Sequence, residues 1–178
     1  MKFVTTLMKD VFVINSHYFA DERGTLVKPF EYNEYSSKGL QCNYEETFYS
    51  VSKKGVLRGF HFQLPPKTSE KLVWVSHGII LDAVLDLRTR SETYNRIFSI
   101  ELSAKNHKAV YLPKGMAHAF CVLSNEATVH YQVSNGYSPD NETGIKWNSV
   151  NFNWPVENPI VSERDNDLPD LKSFKSPF

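Results

Sequence analysis

The sequence predicts an all-β barrel or sandwich, and three observations lead there. Short runs rich in β-branched and aromatic residues recur along the chain, turn-forming residues separate them, and helical periodicity is weak throughout. The runs cover residues 11–14, 47–51, 56–62, 72–75, 79–87, 97–102, 109–112, 119–123 and 128–133. Between them stand Lys53-Lys54-Gly55, Pro65-Pro66, His77-Gly78, Lys105-Asn106 and Lys114-Gly115, which favour reversals. One short helix is expected over residues 32–38, stopped by Gly39. Beyond Trp147 the chain turns rich in Asn and Pro, and is expected to wrap the barrel as loops and short turns.

The 178 residues suffice for one domain with a real core. Twenty basic and 20 acidic side chains balance, which leaves no electrostatic footprint for nucleic acid or an anionic membrane. No apolar run spans a bilayer, and the N-terminus lacks a signal-type apolar core, so a cytoplasmic protein is expected. Cys42 and Cys121 have no metal or redox spacing and read as buried free thiols. Aromatic residues make up 13%, which suits a β protein with an aromatic-lined cavity.

Strand alternation assigns faces. Within residues 56–63, Arg58 shares a face with Val56, Phe60 and Phe62, while His61 takes the other. A bulge at Gly59 would bring Arg58 and His61 to one pocket. Asp82 and Asp86 share a face. Asp82 reads equally as a pocket hydrogen-bonding group or a strand residue, and Asp86 as the end of a strand in a surface ion pair with Arg88. His17, His77, His107 and His130 read as loop or surface residues.

Two segments carry the chemistry: Gly55-Val56-Leu57-Arg58-Gly59-Phe60-His61-Phe62-Gln63 and Pro113-Lys114-Gly115-Met116-Ala117-His118. The second has the P-x-G-x-x-H shape of a cupin turn. The first has one histidine where a metal-binding cupin carries two and a nearby glutamate. His61 and His118 fall short of a three- or four-ligand site, so no metal and no cofactor is expected.

These segments occur in order with Asp21-Glu22-Arg23-Gly24, Lys71-Leu72-Val73, Tyr131, Tyr137-Ser138-Pro139, Glu142, Gly144-Ile145-Lys146-Trp147, Trp154-Pro155 and Ser162-Glu163-Arg164-Asp165. The chain thereby resembles the dTDP-4-dehydrorhamnose 3,5-epimerase family almost from end to end. The resemblance implies a single cupin-like jelly-roll β-barrel with short peripheral helices. It also implies a homodimer exchanging an N-terminal segment, and a nucleotide-linked 4-keto-6-deoxyhexose as substrate. The reaction would belong to deoxysugar biosynthesis and feed a surface polysaccharide, such as a lipopolysaccharide O-antigen, or a glycosylated metabolite.

Epimerisation beside a ketone needs a base on one face of the sugar, stabilisation of the enolate, and an acid on the other face. His61, of a residue type with unperturbed pKa ~6.5, suits the base. The resemblance pairs it with Asp165, which would fix its tautomer. It sets Lys71 against the C4 oxygen, His118 as a second donor, and Tyr131 at the acid position. Arg58 and Arg164 match diphosphate ligands, and Arg23 matches one donated across the dimer. Tyr137 matches a base-stacking aromatic, and Glu142 a ligand-contacting carboxylate.

Two departures from the family pattern fall where the family contacts its nucleotide. Leu26 and Lys28 replace a phenylalanine and a glutamate, and Glu46-Thr47-Phe48 replaces a polar Gln-x-Asn run. A glutamate accepts from thymine N3–H, whereas a lysine only donates, which suits the bare N3 of cytosine. A CDP-linked substrate is therefore an expectation beside a dTDP-linked one. Two other readings compete: a ketoisomerase on a related nucleotide sugar, and a sugar-nucleotide-binding cupin without catalysis.

Overall fold

The structure, a computed structural model, describes residues 1–178. The elements in order are β1 (Lys2–Thr5), β2 (Phe12–Asn15), β3 (His17–Asp21), β4 (Gly24–Lys28), α1 (Tyr32–Ser36), β5 (Glu46–Lys53), β6 (Leu57–Gln63) and β7 (Lys71–His77). They continue with β8 (Ile79–Asp86), β9 (Ile97–Ser103), β10 (Lys108–Leu112), β11 (Met116–Val122), β12 (Glu126–Val133), β13 (Glu142–Gly144), α2 (Glu163–Asn166) and a 3-10 turn at Leu171–Ser173. A six-stranded sheet runs β1-β2-β10-β7-β12-β5, and a five-stranded sheet runs β13-β6-β11-β8-β9. The four strands β5-β12-β7-β10 and the four strands β6-β11-β8-β9 give the two-layer jelly-roll order.

Period-two alternation sends one row of each sheet into the space between the layers. Val73, Val75, Val84, Val110, Leu112, Phe120, Val122 and Val129 form the main core there. Fully burying a side chain such as Phe120 or Leu112 stabilises the fold by roughly 1.5–3 kcal/mol. The opposite rows are covered from outside. Ile14, Leu72, Ala109 and Tyr111 pack with Tyr35 of α1. Phe60, Phe62, Leu85 and Ala119 are covered by Trp154, Leu171, Phe174 and Phe178 of the C-terminal tail. The tail thus lies against the outer face of the five-stranded sheet, and a parallel bridge between Val56 and Ile160 ties it to the edge of β6. The helix expected over residues 32–38 forms over Tyr32–Ser36, capped by the Glu31 carboxylate on the Glu34 N–H. No helix is long and apolar enough to cross a membrane.

Four elements escape the strand pattern: β1, the β3–β4 hairpin, β13 and α2. They are short, and the hairpin is exposed along most of its length, so neither burial nor periodicity marks them. The surface-ion-pair reading of Asp86 is corrected. Its carboxylate does meet Arg88 at 2.8 Å, but it is fully buried and also accepts from the Ser91 and Thr93 hydroxyls. Burial pushes this carboxyl up, and those hydrogen bonds outweigh burial and leave it low. Cys121 is buried and Cys42 only half-buried, both as free thiols. His17 and His130 are half-buried strand residues. His17 bonds to Glu34, and His130 stacks on Trp74 with ring centroids 5.2 Å apart.

The bulge at Gly59 is present. His118 pairs with His61 and Phe120 with Arg58, so Gly59-Phe60 oppose the single residue Ala119. Gly59 has φ +114°, and a Cβ there would lie 2.6 Å from Ala119 Cα and closer still to the His118 carbonyl oxygen. Gly59→Ala is expected to destabilise the fold by about 4 kcal/mol or more. Gly24→Ala, where φ is +121° and the space is open, should cost about 1–2 kcal/mol. Urea unfolding of both variants checks this, and equal losses would refute the close-approach argument.

Candidate active site

The bulge makes the site. Because β6 gains one residue at Gly59, both Arg58 and His61 turn toward the space between the sheets. His61 Nε2 lies 2.7 Å from Asp165 Oδ1. Asp165 comes from α2, a one-turn helix whose Ser162 hydroxyl accepts from the Asp165 N–H. Its second oxygen accepts the Gly59 N–H at 3.1 Å. The carboxylate is almost wholly buried, which works to raise its pKa, but the hydrogen bonds from His61 and Gly59 outweigh burial and hold it below the usual range. It is therefore ionised and accepts a proton held on His61 Nε2, which leaves Nδ1 outside this bond.

Lys71 at the start of β7 reaches across from the other sheet and donates to the His61 carbonyl oxygen at 3.2 Å. Burial depresses its pKa to about 8, against the pull of the Glu142 carboxylate. Next to His61 across the β6–β11 ladder stands His118, whose Nε2 is 2.6 Å from Asp82 Oδ2. Asp82 is fully buried, and its Oδ1 has no partner. The sequence left Asp82 open between two roles, and the structure gives it to the pocket.

Tyr131 projects inward from β12. Its hydroxyl lies 3.4 Å from Ser50 Oγ, its ring stacks on Phe48 at 4.8 Å, and it meets His118 edge-on. Burial pushes the phenol far above its ordinary pKa; Ser50 and Arg58 oppose this and Asp82 adds to it. The phenol therefore rests fully protonated. Arg58 is exposed and is steadied by Nε donating to Ser52 Oγ at 3.1 Å.

A cleft opens beside His61 and is lined by Glu46, Phe48, Gln63, Ser69, Lys71, Asn135, Tyr137 and Glu142, among others. Glu142 on β13 meets Arg164 at 2.8 Å, and its other oxygen is buried without a partner. Tyr137 is 60% exposed, and its N–H donates to Glu46 Oε1. No group of three or more His, Cys, Asp or Glu side chains is arranged to hold a metal ion.

Nine of the sequence-derived site residues thus gather here: Arg58, His61, Lys71, His118, Tyr131, Tyr137, Glu142, Arg164 and Asp165. Arg23 and Lys28 do not. They lie on the exposed β3–β4 hairpin, which pairs only with itself, and Arg23 bonds to its neighbour Asp21 at 3.1 Å. Ser50, Ser52 and Asn135 escaped the sequence reading. The signal for the two serines was there: residues 46, 48, 50 and 52 share one face of β5, and each touches a site residue.

The profile of the dTDP-4-dehydrorhamnose 3,5-epimerase family matches residues 5–173. The chain is 38% identical over 168 residues to the dTDP-4-dehydrorhamnose 3,5-epimerase of Shigella flexneri, covering 93% of each chain. It is 33% identical to the dTDP-4-dehydrorhamnose 3-epimerase of Streptomyces niveus, covering 90% of this chain and 79% of that one. The crystal structure of the Bacillus anthracis 3,5-epimerase with TDP and pyrophosphate bound superposes with a TM-score of 0.92 at 35% identity, over 96% of this chain and 99% of that one. With its cupin-like jelly roll and this set of residues, the chain belongs to the dTDP-4-dehydrorhamnose 3,5-epimerase family.

Proposed function

We propose that this chain is a metal-independent isomerase that inverts C3, C5 or both in a nucleoside-diphosphate-linked 4-keto-6-deoxyhexose. One observation carries the reading. His61, paired with Asp165 of α2, belongs to one sheet, while Lys71 and Tyr131 belong to the facing sheet. A sugar ring held between these groups would meet a base on one face and an acid on the other. His61 takes the proton from the carbon next to the ketone. Its charge as an imidazolium is balanced by Asp165. The electron pair moves to the C4 oxygen, where the Lys71 ammonium stabilises the enolate. Tyr131 returns a proton from the opposite side and configuration inverts. Arg58 and Arg164 flank the cleft as diphosphate donors, Tyr137 offers an aromatic face to the base, and the unpartnered oxygen of Glu142 accepts from a ligand hydroxyl.

Arg23 and Lys28 serve the site of a second copy. The exposed hairpin, with Phe19 and Leu26 more than half exposed, fits an N-terminal segment exchanged in a homodimer. Lys28, which only donates, favours a base other than thymine, and cytosine, with its bare N3, is the pyrimidine that fits. We place the reaction in the cytoplasm, where the free thiols Cys42 and Cys121 stay reduced.

Proton NMR in D2O with dTDP- and CDP-linked 4-keto-6-deoxyglucose in parallel is expected to show deuterium entering C3, C5 or both with inversion. No exchange with either substrate would overturn the epimerase reading, and faster turnover of the dTDP-linked sugar would sink the cytosine reading alone. His61→Asn and Asp165→Asn should each lower turnover about 10²–10⁴-fold with nucleotide affinity retained. A variant that keeps its rate removes the dyad from the mechanism.

Mixing inactive Arg23→Ala with inactive His61→Asn should restore turnover, because one mixed dimer site then holds both residues. Continued inactivity of a verified mixed dimer would refute donation across the interface.

The pH profile tests Lys71. Turnover should fall as pH rises through about 8, where Lys71 loses its proton. An unfolded lysine titrates at 10.5, so the unfolded chain holds this proton longer. Between about pH 8 and 10 this group therefore adds stability as pH rises. Rate and thermal stability should part company in that window, and a rate that holds level to pH 9.5 would exclude the ammonium.

A further inference from the structure

The inward row of β5 is not accounted for by the base, the enolate stabiliser or the acid. Phe48 lies directly across the ladder from Tyr131, with the rings nearly parallel at 17° and 4.8 Å between centroids. Two residues on, Ser50 Oγ stands 3.4 Å from the Tyr131 hydroxyl. The same strand therefore holds the phenol at its face and at its oxygen. The ring has one further aromatic neighbour, the edge of His118 at 6.1 Å. Phe48 also lines the cleft and is 46% exposed.

We infer that Phe48 and Ser50 are positioning residues that aim the Tyr131 phenol at the enolate, and so decide whether proton exchange ends in inversion. The inference rests on the epimerase reading above. His61 removes a proton and leaves the enolate; two proton donors then compete for the carbon. Protonation by Tyr131 from the far face inverts the centre, with the phenolate recovering its proton from solvent. Protonation by the His61 imidazolium from the near face restores the original configuration. The His61 side chain is 27% exposed, so its proton exchanges with solvent, and in D2O this second route labels the sugar without inverting it. Anything that lets the phenol swing away shifts flux from inversion to labelling with retention. Parallel aromatic contact limits the ring to one orientation, and Ser50 fixes where its hydroxyl lies. In an edge strand this contact has no ladder partner on its far side, so the side chain at position 48 can change without breaking the sheet.

The test measures deuterium incorporation and inversion separately at C3 and C5 in D2O for wild type, Phe48→Leu, Ser50→Ala and Tyr131→Phe. Phe48→Leu keeps an apolar side chain and removes the stack. Its ratio of inversion to labelling should fall about three- to tenfold at saturating substrate, the scale of one aromatic pair, whatever the labelling rate itself. Ser50→Ala should move the ratio the same way by about twofold, the lower end for one neutral hydrogen bond. Tyr131→Phe should label without inverting and marks the limit. An unchanged ratio in both Phe48→Leu and Ser50→Ala would overturn the inference, as would loss of labelling and inversion in step in variants with wild-type thermal unfolding. Wild type that neither labels nor inverts would instead overturn the epimerase reading itself.

Discussion

The site depends on one hydrogen bond, from the Gly59 N–H to Asp165. It joins a bulge in the barrel to a single helical turn in the tail, more than 100 residues apart in sequence. The bulge turns Arg58 and His61 to the same side, and the helical turn supplies the carboxylate that orients His61. Either alone would fail. A buried carboxylate without donors costs several kcal/mol, so Asp165 stays where it is because His61 and Gly59 satisfy it. The tail stays because Trp154, Leu171 and Phe174 cover the outer face of the five-stranded sheet, and because residue 160 exchanges backbone hydrogen bonds with residues 55 and 57. Hydrophobic packing remote from the cleft thus sets the position of the His61 imidazole.

The cleft holds two histidine–carboxylate pairs with the same chemistry and different burial. The His118–Asp82 pair is sealed, with side chains 5% and 0% exposed, whereas the His61 side chain keeps 27%. Proton transfer to solvent needs a path for water, which His61 has and His118 lacks, so in the proposed mechanism the exchange of protons falls to His61 and His118 serves as a donor. Lys71 sits between these regimes. It is buried enough for its charge to act at low dielectric, and its proximity to Glu142 keeps it from losing that charge near neutral pH.

The sequence exposed the parts of this arrangement that follow from periodicity and from strong local chemistry. The inner strands were legible because Val, Ile, Leu and Phe alternate or run unbroken across both buried faces. The bulge was legible because a glycine stood between Arg58 and His61 on a strand that strict alternation divides. Asp82 was not resolved. A carboxylate on a buried face is either paired or unfavourable, and its partner His118 is 36 residues away in the chain. The β3–β4 hairpin was missed for the opposite reason: with most of it exposed, no alternation distinguishes its faces. Phe48 was visible as a departure from a family pattern, but its contact with Tyr131 required the register between β5 and β12.

The layered fold suits this chemistry because it separates what must stay fixed from what can vary. In the proposed mechanism proton abstraction is common to both carbons beside the ketone, and the proposed base His61 lies on β6, which is flanked on both sides by strands and pinned by the tail. The choice of carbon and face would belong to the proposed acid Tyr131, which lies on β12, one strand from the sheet edge. The outermost strand, β5, carries the side chains against that acid, and much of it faces solvent: Phe48, Tyr49 and Val51 are all exposed. Substitution on an edge strand disturbs one ladder rather than two, so contacts around the phenol can be altered at little cost to folding, while the dyad and the lysine stay in place. A scaffold built this way can keep one mechanism of proton removal and arrive at different stereochemical outcomes by changing a single row of residues.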